Sequence, residues 1–143
     1  MELFYSKIKK EKLLHIVFRF SDFKELGFQG RKDLISEKEF LQLSALKLNK
    51  GKSFNPHKHI WKDGEKKVIA QESWVVIKGK VKCTFFDLDG TNLSKQILEE
   101  GDCSVTLYGG HTYTILENNT LVYEFKTGPY KGNKLDKELL NED

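Results

Sequence analysis

From residue 40 onward the sequence never runs far without meeting a turn signal. FLQLSALKL (40–48) gives way to NKGKSFNP, and WKDGEKK, DLDGTN, EEGD, YGG, ENNT and TGPYKG break up the short apolar or alternating runs that follow. Gly, Asn, Asp and Pro at such intervals set turns, and runs of β-branched and aromatic residues between them favour strands. Short strands at this spacing must close on one another as a sandwich or a barrel. The run SWVVIKGKVKCTFFDLDG divides at Gly79 into two strands, and with SKQILEEGD beyond the DLDG turn it predicts an antiparallel meander. Ten Phe, five Tyr and two Trp suit this all-β reading.

The flanks are less regular. LLHIVFRF (13–20) reads as a strand among loops, and KLDKELLNED at the end is the one stretch with a trace of helical periodicity, charged enough to fray. At 143 residues the chain fits one domain, large enough to bury about two-thirds of its unfolded surface without staples. We expect an N-terminal strand and loops over 1–39 that lie on the barrel or swap onto a neighbour's, a barrel over 40–130, and a C-terminal tail over 131–143. An apolar LLHIVFRF strand covering an open sheet edge makes a homodimer the expected assembly.

Charge excludes several partners. Lys and Arg number 24 against 21 Asp and Glu, a mixed surface rather than a field for a polyanion. KIKKEKLL near the N-terminus reads as a solvated face, without the interleaved aromatic and basic residues of a nucleic-acid arm. No apolar run approaches the roughly 20 residues that span a bilayer, and MELFYSKIKKEKLL lacks the apolar core of a signal peptide. Cys83 and Cys103 are too few for a disulfide framework; both read as buried rather than reactive. A cytoplasmic protein, without nucleic-acid or membrane partners, is expected.

The chemistry concentrates in FNPHKHIWKDGEKKVIAQESWVVIKG (54–79). In a strand, residues i and i+2 share a face, so His57 and His59 point together, with Asn55 beside them and Lys58 turned away. Glu72 heads the next apolar run, with Trp74 and Val76 on its face, and joins the histidines if that strand pairs beside them. His111 follows Gly109-Gly110, where paired glycines let the backbone turn and approach a neighbour closely, and Tyr113 lies on the same face two residues later. Three imidazoles and a carboxylate make a mixed N/O donor set for Fe, Mn, Ni, Zn or Cu. The bland alternatives are two packing histidines in the HxH pair and a strand-end surface carboxylate at Glu72. His15, in LLHIVFRF, stands apart and reads as structural.

Gly51, five residues, His57-Lys58-His59, then Glu72, six residues and Gly79, resembles the first cupin motif, G(X)5HXH(X)nE(X)6G. The departure is the spacer: twelve residues separate His59 from Glu72 where three or four are usual, which implies a longer hairpin through Trp61-Lys62-Asp63-Gly64. The second motif, G(X)5PXG(X)2H(X)3N, is matched by Gly101, Leu107 in the proline position, Gly109, and His111 one residue early, without its asparagine. PHKH (56–59), FDLDG (86–90), VYEFKTGPY (122–130) and Asp136-Lys137 further resemble the WbuC-type cupin-fold metalloproteins of polysaccharide gene clusters.

This resemblance implies a jelly-roll barrel of the RmlC-like kind with one divalent metal ion (Fe, Mn, Ni or Zn) in its mouth, held by His57, His59, Glu72 and His111. It also implies a small-molecule ligand, a sugar or sugar nucleotide, and isomerase or epimerase chemistry in surface glycan biosynthesis. Tyr113 is the candidate proton-transfer group, with Asn55 and Trp74 offering the substrate a hydrogen bond and a stacking surface. An Fe(II)-dependent dioxygenase and a non-catalytic small-molecule-binding cupin use the same donors.

Overall fold

The computed structural model describes residues 1–27, 30–62 and 68–140. Its strands in chain order are β1 (Glu2–Tyr5), β2 (Leu13–Val17), β3 (Gly30–Asp33), β4 (Leu41–Leu48), β5 (His57–His59), β6 (Trp61–Lys62), β7 (Val68–Ile69), β8 (Glu72–Lys78), β9 (Val81–Phe86), β10 (Asn92–Leu98), β11 (Cys103–Thr106), β12 (Gly110–Ile115), β13 (Thr120–Thr127) and β14 (Lys137–Leu139). Two five-stranded antiparallel sheets face each other, one ordered β10-β9-β12-β5-β14 and the other β11-β8-β13-β4-β3. This is the all-β arrangement of short strands that the turn spacing predicts, and the jelly roll that the resemblance implies.

The sheets are held by alternation. Leu46, Leu48, Trp74, Val76, Val81, Cys83, Tyr113, Ile115 and Val122 point inward and form one buried cluster between them. Glu72, Trp74 and Val76 alternate with half-exposed Ser73, Val75 and Ile77 along β8, the period of two that a sheet with one buried face requires. Gly79 turns the chain at the end of β8 with φ of 88°, and a Cβ there would come within 2.5 Å of Thr120 Oγ1. Only glycine fits both conditions.

Three expectations need correction. The predicted meander is half right: β9 and β10 form a hairpin, but β8 lies in the opposite sheet, so the Gly79 corner crosses between layers. The last segment forms no α-helix over its described residues. A short 3-10 turn, Asn133–Leu135, leads into β14, whose Lys137 and Leu139 pair with His59 and His57. A vacant edge beside β5 supplies backbone partners that outweigh a weak helical period. Cys103 is exposed, because β11 is an edge strand on which Ser104 and Thr106 take the inward positions.

β1 and β2 pair with each other as a separate ribbon. The 3-10 turn Phe20–Glu25 follows, and Phe23, Leu26 and Leu34 form a second cluster with Ala45 and Leu121 on the outer face of β4 and β13. Phe18 and Phe23 meet Tyr123 with ring centroids 6.1 and 5.2 Å away. β3 then lines up along β4 as that sheet's edge strand, placing Arg31 opposite Leu46. No described helix is long and apolar enough to cross a membrane.

Candidate metal centre

β5 and β12 are neighbours, and His57 pairs directly with His111. β5 supplies His59 two residues on from His57, on the same inward face. The two-glycine approach to His111 has the expected cause. Gly109 has φ of 81°, and a Cβ on it would stand 2.6 Å from the Phe86 carbonyl oxygen, so the backbone passes where a side chain cannot.

Glu72 arrives by a different route from the one its sequence position suggests. β8 is not beside β5; its first residue projects from the opposite sheet, and the carboxylate reaches the histidines across the barrel. The long spacer forms the expected hairpin, in which Trp61 pairs with Ile69 and Lys62 with Val68. Its Asp63-Gly64 tip lies outside the described residues.

The four side chains converge. Ring centroids of His57 and His111 are 4.6 Å apart, of His57 and His59 5.3 Å, and of His59 and His111 5.5 Å. His59 Nε2 lies 3.3 Å from Glu72 Oε2, and His111 Nε2 lies 3.3 Å from Glu72 Oε1. One donor atom from each of the four residues lies within 4.8 Å of all the others, and all four residues are buried.

These atoms fit a cation better than they fit one another. The Nε2 atoms of His57, His59 and His111 are all buried without a hydrogen-bond partner, a cost of roughly 1–3 kcal/mol each if nothing else satisfies them. Neighbouring donors around an ion with bonds of about 2.1 Å sit about 3.4 Å apart in a tetrahedral set, close to the two imidazole–carboxylate separations. The opposite ring nitrogens are all occupied, which fixes each Nε2 inward. His57 Nδ1 lies 2.9 Å from the Asn55 carbonyl oxygen, His111 Nδ1 2.8 Å from Thr106 Oγ1, and His59 Nδ1 3.3 Å from the Asp136 carbonyl oxygen.

Charge follows the same plan. Burial alone would raise the Glu72 carboxyl, but the imidazoles of His111 and His59 outweigh it and hold the group well below the usual carboxylate range. Burial, with His111 beside it, pushes His57 down to about 4. His59 moves the other way, to about 9, because Asp136 and Glu72 overcome its burial.

The remaining expected site residues separate. Trp74 is buried under the cluster, donates from Nε1 to Glu72 Oε1 at 3.1 Å, and stacks on Tyr113 with centroids 4.0 Å apart. The Tyr113 hydroxyl is 3.0 Å from Ser104 Oγ, and burial raises its pKa beyond the ordinary phenol range. Asn55 is exposed at the lip, lining a cavity of about 400 Å³ with His57, Phe54 and Lys137. A second cavity of about 330 Å³ opens over His57, Glu72, Trp74 and Tyr113.

Several residues of the site lie outside the two histidine motifs and have no role predicted from sequence. Arg31, from β3, donates to both carboxylate oxygens of Glu124 at 2.8 and 3.1 Å and to Ser44 at 2.7 Å. Asp136 is fully buried beside His59. Its Oδ2 lies 3.3 Å from His59 Nδ1 and accepts from Lys126 Nζ at 3.1 Å. Lys62 Nζ lies 2.8 Å from Oδ1 in a charge contact outside hydrogen-bond alignment. Burial would raise the Asp136 carboxyl, but His59, Lys62 and Lys126 hold it far below the usual range. One signal was available: Glu124 and Lys126 alternate with Tyr123 and Phe125 along β13, charge on the face that the apolar residues leave to the barrel.

No protein-family profile matches the sequence, and no curated protein matches it. Solved structures do. KdgF from Halomonas sp. is 21% identical, with 71% of this chain and 81% of that chain covered and a TM-score of 0.54. CapF, a capsular polysaccharide assembling protein of Staphylococcus aureus, is 15% identical over 80% of this chain with a TM-score of 0.64, though only 30% of CapF is spanned. An uncharacterised protein from Klebsiella pneumoniae subsp. pneumoniae with a double-stranded β-helix domain is 14% identical, with 90% of this chain and all of that chain covered and a TM-score of 0.60. With two facing jelly-roll sheets and a buried His-His-Glu-His cluster between them, the chain has the cupin fold, the double-stranded β-helix of these neighbours.

Proposed function

We propose that the protein is a metal-dependent enzyme acting on a sugar or sugar nucleotide, by isomerase or epimerase chemistry, in surface glycan assembly. The observation that carries the metal is the trio of buried, partnerless Nε2 atoms around an ionised Glu72. The sugar is supported by the cavity opening onto that cluster, which mixes the Trp74 indole with charged and hydrogen-bonding groups, and by the capsular polysaccharide role named for CapF.

A divalent ion here supplies charge stabilisation to a substrate carbonyl or enediolate oxygen, worth several kcal/mol. The protein's own groups do the rest. Glu72 and the three histidines are committed to the ion, Trp74 pins one Glu72 oxygen, and Tyr113 remains the proton-transfer candidate. Because burial keeps its phenol protonated, Tyr113 acts in this scheme as an acid or hydrogen-bond donor. Asn55 at the lip and Trp74 in the wall are the proposed substrate contacts.

We assign the protein to the cytoplasm as a homodimer. Leu3, Phe4, Leu13 and Leu14 remain exposed on the β1–β2 ribbon, apolar surface that a second copy would cover. Removal of residues 1–20 should then dissociate the dimer or lower solubility, and unchanged size-exclusion behaviour would count against that assembly.

Elemental analysis of the wild type, His57→Ala and His59→Ala tests the metal, and a panel of dTDP- and UDP-keto sugars tests the chemistry. Near-stoichiometric metal lost in both variants, with metal-dependent turnover of a keto sugar, is the expected result. A thermal shift without product would move the protein to the non-catalytic binders, and neither shift nor product would end the sugar reading.

A further inference from the structure

Three cations line the cavity that opens over His57 and Glu72, and two are already neutralised. Arg31 is held by Glu124 and Asp33, and Lys126 by Asp136. The side chain of the third, Lys137, has no hydrogen bond or ion pair among the described residues. Its place is set by the sheet: Lys137 pairs with His59 across β5 and β14, so its side chain stands on the inward face with the metal-ligand histidines. The next residue, Glu138, faces outward to Lys58 at 3.6 Å. Lys137 is half-buried and lines both cavities where they meet beside His57.

The cavity's carboxylates do not compete for it. Asp33 and Glu124 answer Arg31, Glu72 faces the imidazoles, and Glu37 is exposed at the rim. An uncompensated ammonium beside a cation site has one complementary ligand class. Resting on the reading of a metal-dependent sugar enzyme, we propose that Lys137 anchors an anionic group, carboxylate or phosphate, on the substrate bound at the metal centre.

The test uses the full chain loaded with zinc, as wild type, Lys137→Met and Lys137→Arg. Gluconate, glucose 1-phosphate and glucose are titrated by calorimetry, so that the two anions distinguish a sugar acid from a sugar phosphate. We expect one anion to bind at least tenfold more tightly than glucose, Lys137→Met to lose that advantage, and Lys137→Arg to keep most of it, with zinc content equal in all three. Neither anion exceeding glucose, or Lys137→Met binding the anion as wild type does, overturns the proposal. Failure of the metal reading looks different: the wild type itself would then take up no stoichiometric zinc.

Discussion

Replacing Asp136 by Asn keeps the shape of the side chain and removes the one carboxylate that, among the described residues, forms an ion pair with both Lys62 and Lys126. The carboxylate is fully buried, with Lys62 and Lys126 exposing only 8% and 12% of their side chains. Removing one partner of a buried ion pair costs about 3–5 kcal/mol, because the other charge stays behind without water. Two contacts soften the loss: Lys62 still donates to the Pro129 carbonyl oxygen at 2.9 Å, and Lys126 lies 4.5 Å from the Tyr130 ring centroid. We therefore take the lower end, about 3 kcal/mol, against a total of roughly 5–15 kcal/mol for a domain. For a chain of this length that lowers Tm by roughly 10 °C. Metal binding suffers separately. His59 keeps the Asp136 backbone carbonyl but loses the carboxylate that orients its ring, which should weaken the ion about tenfold. Thermal melts with and without metal, and chelator competition, read the two effects apart. Adding Lys126→Met to Asp136→Asn removes one stranded ammonium and should restore about 1 kcal/mol. A melting point within 2 °C of wild type together with unchanged metal affinity would refute the reasoning.

Three further outcomes follow from the same geometry. Trp74→Phe removes the Nε1–H donor to Glu72 and should weaken metal binding about tenfold while leaving the fold intact, read by chelator competition and circular dichroism. Gly109→Ala forces a Cβ toward the Phe86 carbonyl at a positive φ, so a loss of about 1–3 kcal/mol in urea unfolding is expected. In metal-free protein, His59 is raised to about 9 and His57 lowered to about 4 from 6.5. Stability from His59 is present below pH 6.5 and fades as pH rises through 9; His57 resists protonation, so stability also falls as pH drops from 6.5 towards 4. Melts should peak near neutrality, and a flat profile across that range would contradict the assignment.

The parts of the protein that could be read in advance are those governed by local period. Alternation places His57 and His59 on one face whatever lies around them, and the DLDG turn marks the β9–β10 hairpin from its own residues. Layer assignment is different, since the two-residue corner Gly79-Lys80 looks the same whether the next strand pairs with β8 or crosses to the other sheet. β14 was hidden for a similar reason: three residues make a strand only because β5 offers an open edge. The unusual spacer before Glu72 shows the same principle from the other side. The position of Glu72 is fixed by register, opposite Lys126 on β13 and Thr106 on β11. Added residues go into the β6–β7 hairpin and leave the carboxylate where it was. Motif spacing can therefore drift at a loop while the donor set survives, provided that the strand carrying the carboxylate keeps its pairing. A substitution that slips β8 by one residue would turn Glu72 outward and empty the cluster of its only carboxylate, a larger effect than any change in hairpin length.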